Sequence, residues 1–182
     1  MFENILVSID GWEPSSHALA VAVNVAKQYG ARLKIVHAVM LDVSLDALME
    51  VAERHGFLDQ IKEDIDEATN VGSIPVPVTA APLVAIPEEL LEKVGKLLLE
   101  ETASKARAQG VETVETALLG KDAAHEVLHF AETNDINLIV CGTRGLGGIK
   151  SFFLGSVSHK LLEEAKCPCS LFERTCPPDL HT

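Results

Sequence analysis

Residues 136–158 read INLIVCGTRGLGGIKSFFLGSVS: an apolar run, a segment carrying five glycines, and the beginning of an amphipathic stretch. Ile136 to Cys141 has the near-continuous apolar composition of a strand covered on both faces, the kind found in parallel sheets. From about Leu154 to Ala165 the apolar residues recur at helical spacing, which predicts a helix. Strand, glycine-rich connection and helix in that order form part of a β-α-β unit, and repetition of that unit along the chain sets the fold class.

The repetition is visible on both sides. Ile5 to Ile9 is a short β-branched run ending at Asp10-Gly11, and Pro14 suits the first turn of a helix. In that helix Ala18, Leu19, Ala22, Val23 and Ala26 share a face until Gly30, a C-terminal cap. Leu33 to Val39 is a second strand. Pro87-Glu88-Glu89 opens a long helix that runs to Gly110, with acidic residues in its first turn. Val111 to Leu119 alternates as a third strand, Ala123 to Thr133 is a helix, and Ser170-Leu171-Phe172 is a last strand. These elements predict a single-domain α/β protein: an open parallel five-stranded sheet with helices on both faces. Ligands in such sheets sit beyond the carboxyl ends of the strands, where the strand order reverses, and Asp10, Ala38 and Gly142 fall at such ends.

The region at about 40–86 interrupts this pattern. LDALMEVAERHGFLDQIKEDI (45–65) favours one or two short helices broken at Gly56, and VGSIPVPVTAAPLVAIP (71–87) holds a cluster of prolines that predicts an ordered but irregular excursion. Residues 1–175 are expected to form one domain extended by this insertion, with 176–182 as a tail.

At 182 residues with 47% hydrophobic side chains, the chain can fill one core. A net charge of -12 disfavours nucleic acid and anionic membranes, so any phosphate ligand must be held locally. The opening MFENILVSID has no leader-like pattern, and nowhere does the chain approach the roughly 20 apolar residues of a membrane helix, which suggests a cytoplasmic protein. Four cysteines, Cys141, Cys167, Cys169 and Cys176, are too few for a disulfide scaffold in a chain of this length. Cys167-Pro168-Cys169 lacks the two-residue spacing of zinc knuckles and redox pairs and reads as small buried hydrophobes.

Several motifs compete for the glycine segment. A P-loop requires glycine before its lysine, but Ile149 precedes Lys150. The dinucleotide fingerprint fails because Lys150 stands where its third glycine belongs. His125-Glu126-Val127-Leu128-His129 matches the H-E-x-x-H zinc pattern, yet no third histidine or glutamate follows at the required distance.

What fits is Gly142-x2-Gly145-x9-Gly155-Ser156 after the fourth strand, with Asp10 after the first. Together with ILVSIDGWEPSSHAL (5–19), VHAV (36–39), INLIVCGTRGLGG (136–148) and LGSVSHKLLEEAKCP (154–168), this spacing resembles the ATP-binding branch of the universal stress protein family over most of the chain. Physically, Gly142 and Gly145 permit close backbone approach, and Gly155-Ser156 opens a helix whose unpaired amides favour an anion.

The resemblance implies a Rossmann-like, adenine nucleotide alpha hydrolase-like fold. In it Asp10, Ala38, Gly142, Gly145, Gly155, Ser156 and Val157 would line ATP, or AMP or ADP after hydrolysis. Arg144 and Ser158 are added as candidates beside the phosphates, and Mg²⁺ would suit an acidic protein. The resemblance also implies a regulatory nucleotide sensor rather than a fast enzyme, and a homodimer through the C-terminal strand. Two alternatives stand beside it: a nucleotide-hydrolysing or nucleotidyl-transferring enzyme, and a ligand-free dimeric stress protein that binds partners. Trp12 departs from the small hydroxyl residue that many relatives carry after Asp-Gly, and its bulk would cover the pocket or pack on the insertion.

Overall fold

A computed structural model describes residues 2–39, 41, 43–71, 86–143 and 155–173, with the backbone alone at Asn70 and Val71. Its elements are β1 (Asn4–Ser8), α1 (Glu13–Tyr29), β2 (Arg32–Ala38), α2 (Leu45–Arg54), α3 (Leu58–Val71), α4 (Glu88–Ala108), β3 (Val114–Leu119), α5 (Ala123–Thr133), β4 (Leu138–Gly142), α6 (Ser156–Glu164) and β5 (Cys169–Phe172). The five strands form one sheet in the order β3-β2-β1-β4-β5, parallel throughout.

Strand side chains alternate between two cores. Ile5, Val7, Leu33, Ile35, Leu138 and Val140 face the side covered by α1 and α4, with α2 and α3 packed beyond them. Leu6, Val36, Ala38, Ile139 and Cys141 face the side covered by α5 and α6. Burial on both faces explains the unbroken apolar runs of β1 and β4. The sheet and its two layers match the fold expected from the sequence.

Local chemistry sets the element ends. The α1 cap is Gly30 in the left-handed conformation (φ 63°), its N–H donating to the Ala26 carbonyl. Asp122 caps α5 by accepting from the His125 N–H at 3.2 Å.

Two strands start later than the periodicity predicts, and the reason is the same for both. The Val111 N–H donates to Ala106 and the Ile136 N–H to Ala131, so each closes the preceding helix instead of joining the ladder. β3 therefore begins at Val114 and β4 at Leu138. In the 40–86 region two helices form, parted at Gly56 (φ 75°), and α3 runs past Ile65 to Val71. The proline-rich stretch 72–85 lies outside the described residues.

Candidate functional site

The chain leaves β1 for β2 and then β3 on one side, and returns to β4 and β5 on the other. Connections after β1 and β4 thus diverge, opening the crevice that α/β sheets use for ligands at these carboxyl ends. Asp10 follows β1, and Gly142 is the last residue of β4, which pairs directly with β1.

The α6 N-terminus is tied to the same point. The Gly155 N–H donates to the Thr143 carbonyl at 2.9 Å, and the Ser158 hydroxyl reaches the Thr143 and Gly155 carbonyls at 2.9 Å each. The first intrahelical bond runs from the His159 N–H to Gly155. No side chain caps this helix and no acidic residue occupies its first turn. The amides of Ser156, Val157 and Ser158 therefore have no acceptor among the described residues, and they carry the positive end of the helix dipole. This is an anion-binding geometry.

These details refine the residue roles. Gly155 spends its own amide on Thr143 and sits at φ -65°, ψ 154°, a conformation open to any residue. Ser158 is buried with its hydroxyl turned inward, leaving only its amide toward the helix end. Ser156 is exposed. Ala38 ends β2 opposite Leu119 and packs into the α5–α6 core. Arg144, Gly145 and Lys150 lie outside the described residues.

On the β1 side, Asp10 folds back on its own turn. Its carboxylate accepts the Trp12 N–H at 2.9 Å, and its own N–H meets the Ser15 hydroxyl at 3.3 Å. Gly11 at φ 83° makes the turn possible. Burial pushes the Asp10 carboxyl above the usual carboxylate range, against the stabilising bonds from Ser15 and Trp12 and the proximity of His37.

His37 is buried, and its Nδ1 donates to the Ile9 carbonyl at 2.9 Å. Burial holds its imidazole below the ordinary histidine value, opposed by that bond and by Asp10, so it is neutral. Its position is structural.

Trp12 packs against α2, where the Arg54 guanidinium lies 5.4 Å from its ring centroid. Its Nε1–H is buried with no acceptor among the described residues. Trp12, Asp10 and His37 share a cavity of about 30 Å³ closed by Val51, Leu91 and Leu98. That is room for one water-sized acceptor.

Elsewhere, His125 and His129 stack on the exposed face of α5 with ring centroids 6.3 Å apart, and Glu126 accepts from the Gly120 amide. Among the described residues no group of three metal-ligating side chains forms. Cys141 is buried, while Cys167 and Cys169 are half-buried. Cys176 lies outside the described residues.

The family model described as "Universal stress protein family" matches residues 1–172. The chain belongs to that family. It is 34% identical over 172 residues to the universal stress protein YxiE of Bacillus subtilis, covering 92% of this chain and 97% of that protein. It is also 30% identical over 171 residues to a universal stress protein of Thermus aquaticus, covering 94% of this chain and 98% of that one.

Solved structures share the fold. One is a universal stress protein from Archaeoglobus fulgidus in complex with dAMP (TM-score 0.56, 20% identity, 94% of this chain and 98% of that one). Another is an Arabidopsis thaliana universal stress protein with AMP bound (TM-score 0.57, 13% identity, 97% of each chain). Among the described residues of this universal stress protein, no helix is long and apolar enough to cross a membrane.

Ser15, Thr143 and His55 shape the site without having been singled out in the sequence. Ser15 has a local signal, lying five residues from Asp10, but Thr143 and His55 act through contacts that no motif encodes.

Proposed function

We propose that this universal stress protein binds an adenine nucleotide in the crevice between β1 and β4 and acts as a cytoplasmic regulatory sensor of it. The observation that carries the reading is the start of α6: three amides without acceptors among the described residues and no acidic first-turn residue, anchored to the end of β4 beside Gly142. In such a site the Ser156–Ser158 amides would hold phosphate, and Asp10 and Ala38 would flank the rest of the nucleotide. ATP is the proposed physiological ligand, with Mg²⁺ offsetting charge in an acidic chain. The nucleotide complexes of the two structural relatives support an adenine base.

No nucleophile and oriented base come together at the crevice among the described residues, which favours slow or no turnover over a dedicated enzyme. Ser158 donates to carbonyls, and His37 is occupied by Ile9. A sensor of this kind reports nucleotide level through occupancy, provided that its partners distinguish the bound and free states. Among the described residues the edge strand β5 pairs only with β4, and its outer edge is the proposed homodimer contact.

The test is to purify the protein, denature it and identify released nucleotide by mass spectrometry, with Gly155→Asp as control. ATP, ADP or AMP near one per chain, lost in the variant, supports the reading. Wild-type protein that carries no nucleotide and fails to bind added ATP with Mg²⁺ at millimolar concentration overturns it.

A further inference from the structure

The helices α2 and α3 have no role in the nucleotide reading, yet α2 is docked on the turn that carries Asp10. The side chain of Val51 lies 2.6 Å from where a Cβ on Gly11 would sit, so the two surfaces are in full contact. His55 closes the junction. Its Nε2 is 3.0 Å from the Gly11 carbonyl and its Nδ1 is 3.1 Å from the Glu101 carboxylate of α4, with the side chain only 8% exposed.

Both of those groups are acceptors. A neutral imidazole has one N–H and satisfies one of them; the imidazolium donates to both. His55 is also the C-cap of α2, where the last carbonyls favour a cation.

The charged surroundings are few. From α4, Glu101 faces His55 and is itself paired with Lys105. From the β1–α1 turn, Asp10 has its carboxylate turned to the Trp12 N–H. On its own helix, Arg54 is engaged by Glu50 and the Trp12 ring. From α1, the neighbours are the uncharged Ser15 and Ser16.

We propose that His55 is a positioning residue for the nucleotide turn: doubly protonated, it clasps the Gly11 carbonyl to Glu101 and fixes the Asp10–Trp12 turn, so that nucleotide affinity falls as pH rises. The affinity part rests on the nucleotide reading above; the clasp does not. Deprotonation removes one of the two bonds and releases the link between α2–α4 and the turn. Losing one hydrogen bond of this kind corresponds to about a threefold to tenfold change in an equilibrium.

Trp12 is the one tryptophan of the chain and adjoins Gly11, so its fluorescence reads the clasp without any ligand. The experiment scans Trp12 emission and AMP affinity from about pH 5.5 to about pH 8.5, the range in which imidazoles titrate, in wild type, His55→Gln and Glu101→Gln. Wild type is expected to show a sigmoidal emission change that His55→Gln abolishes and Glu101→Gln moves to lower pH. AMP affinity is expected to fall about threefold to tenfold across the transition in wild type relative to His55→Gln. That ratio cancels the titration of the phosphate itself.

An emission transition that is absent from wild type or survives in His55→Gln overturns the clasp. If His55→Gln does not fold, a transition unmoved in Glu101→Gln overturns it equally. A His55-dependent emission change with pH-independent AMP affinity keeps the clasp and overturns the positioning role. AMP that binds at no pH overturns the nucleotide reading and the positioning role with it, while emission still decides the clasp.

Discussion

A Cβ placed on Gly142 would lie 2.9 Å from both the carbonyl carbon and the Cβ of Pro14. The first turn of α1 is packed against the end of β4, and glycine is needed there for space. Gly142→Ala must push the backbone of α1 away from the sheet, because no flexible side-chain tip is available to yield. The expected cost is about 1–3 kcal/mol of stability, read as a lower urea midpoint with an unchanged slope. Unchanged stability would mean that α1 shifts freely.

Gly155→Asp separates binding from folding. The N-cap conformation accepts aspartate without strain, and its carboxylate can cap the first-turn amides of α6. Stability is expected to hold or rise by up to about 1 kcal/mol, while adenine-nucleotide affinity drops at least about tenfold because the carboxylate occupies and repels the phosphate position. Calorimetry of unfolding and of AMP binding checks both halves. Retained affinity would place the phosphate elsewhere.

His37 makes folding sensitive to acid. Its imidazole is held below the unfolded value of 6.5, so the unfolded chain takes up a proton first as pH falls. Its contribution to stability is present above 6.5 and is lost as pH falls through the folded value. His37→Asn keeps a donor for the Ile9 carbonyl and removes the titration. Denaturation midpoints between about pH 7 and about pH 5 should fall less steeply in the variant than in wild type. Parallel slopes would show that His37 takes up a proton equally in both states.

The thiols at the β4–β5 edge differ in reactivity. The interaction between the Cys141 and Cys169 thiols lowers Cys169 and, with burial, raises Cys141. Cys167 is raised by burial. Iodoacetamide near neutral pH should therefore modify Cys169 before Cys167 and Cys141, as peptide mass mapping would show. Cys141→Val should slow labelling of Cys169 by about threefold or more, because the thiol that lowers Cys169 is gone. Equal labelling of all three would remove the thiol–thiol interaction from the account.

Most of the fold is legible locally. The central strands β1, β2 and β4 announce themselves by apolar β-branched runs, β3 by alternation, and α1 by its period and its Gly30 cap. The failures fall at element starts: Val111 and Ile136 look like strand residues, but their amides are spent closing α4 and α5. The buried face of α3 also continues past Ile65, since Ala68 lies with Ile61 and Ile65 on one side of the helix.

By itself the sequence determined the parallel α/β class, the position of Asp10 and Gly142 at strand ends, and the glycine-serine start of α6. Each of these depends on residues near one another in the chain. Only the tertiary structure decided that Gly142 makes room for Pro14, that the Ser158 hydroxyl turns inward to Thr143, and that α2 is fastened to the nucleotide turn through His55. The Gly11 and Glu101 partners of His55 lie 44 and 46 residues away. Local periodicity fixes which face of an element is buried, but long-range packing chooses which residue on another element it meets.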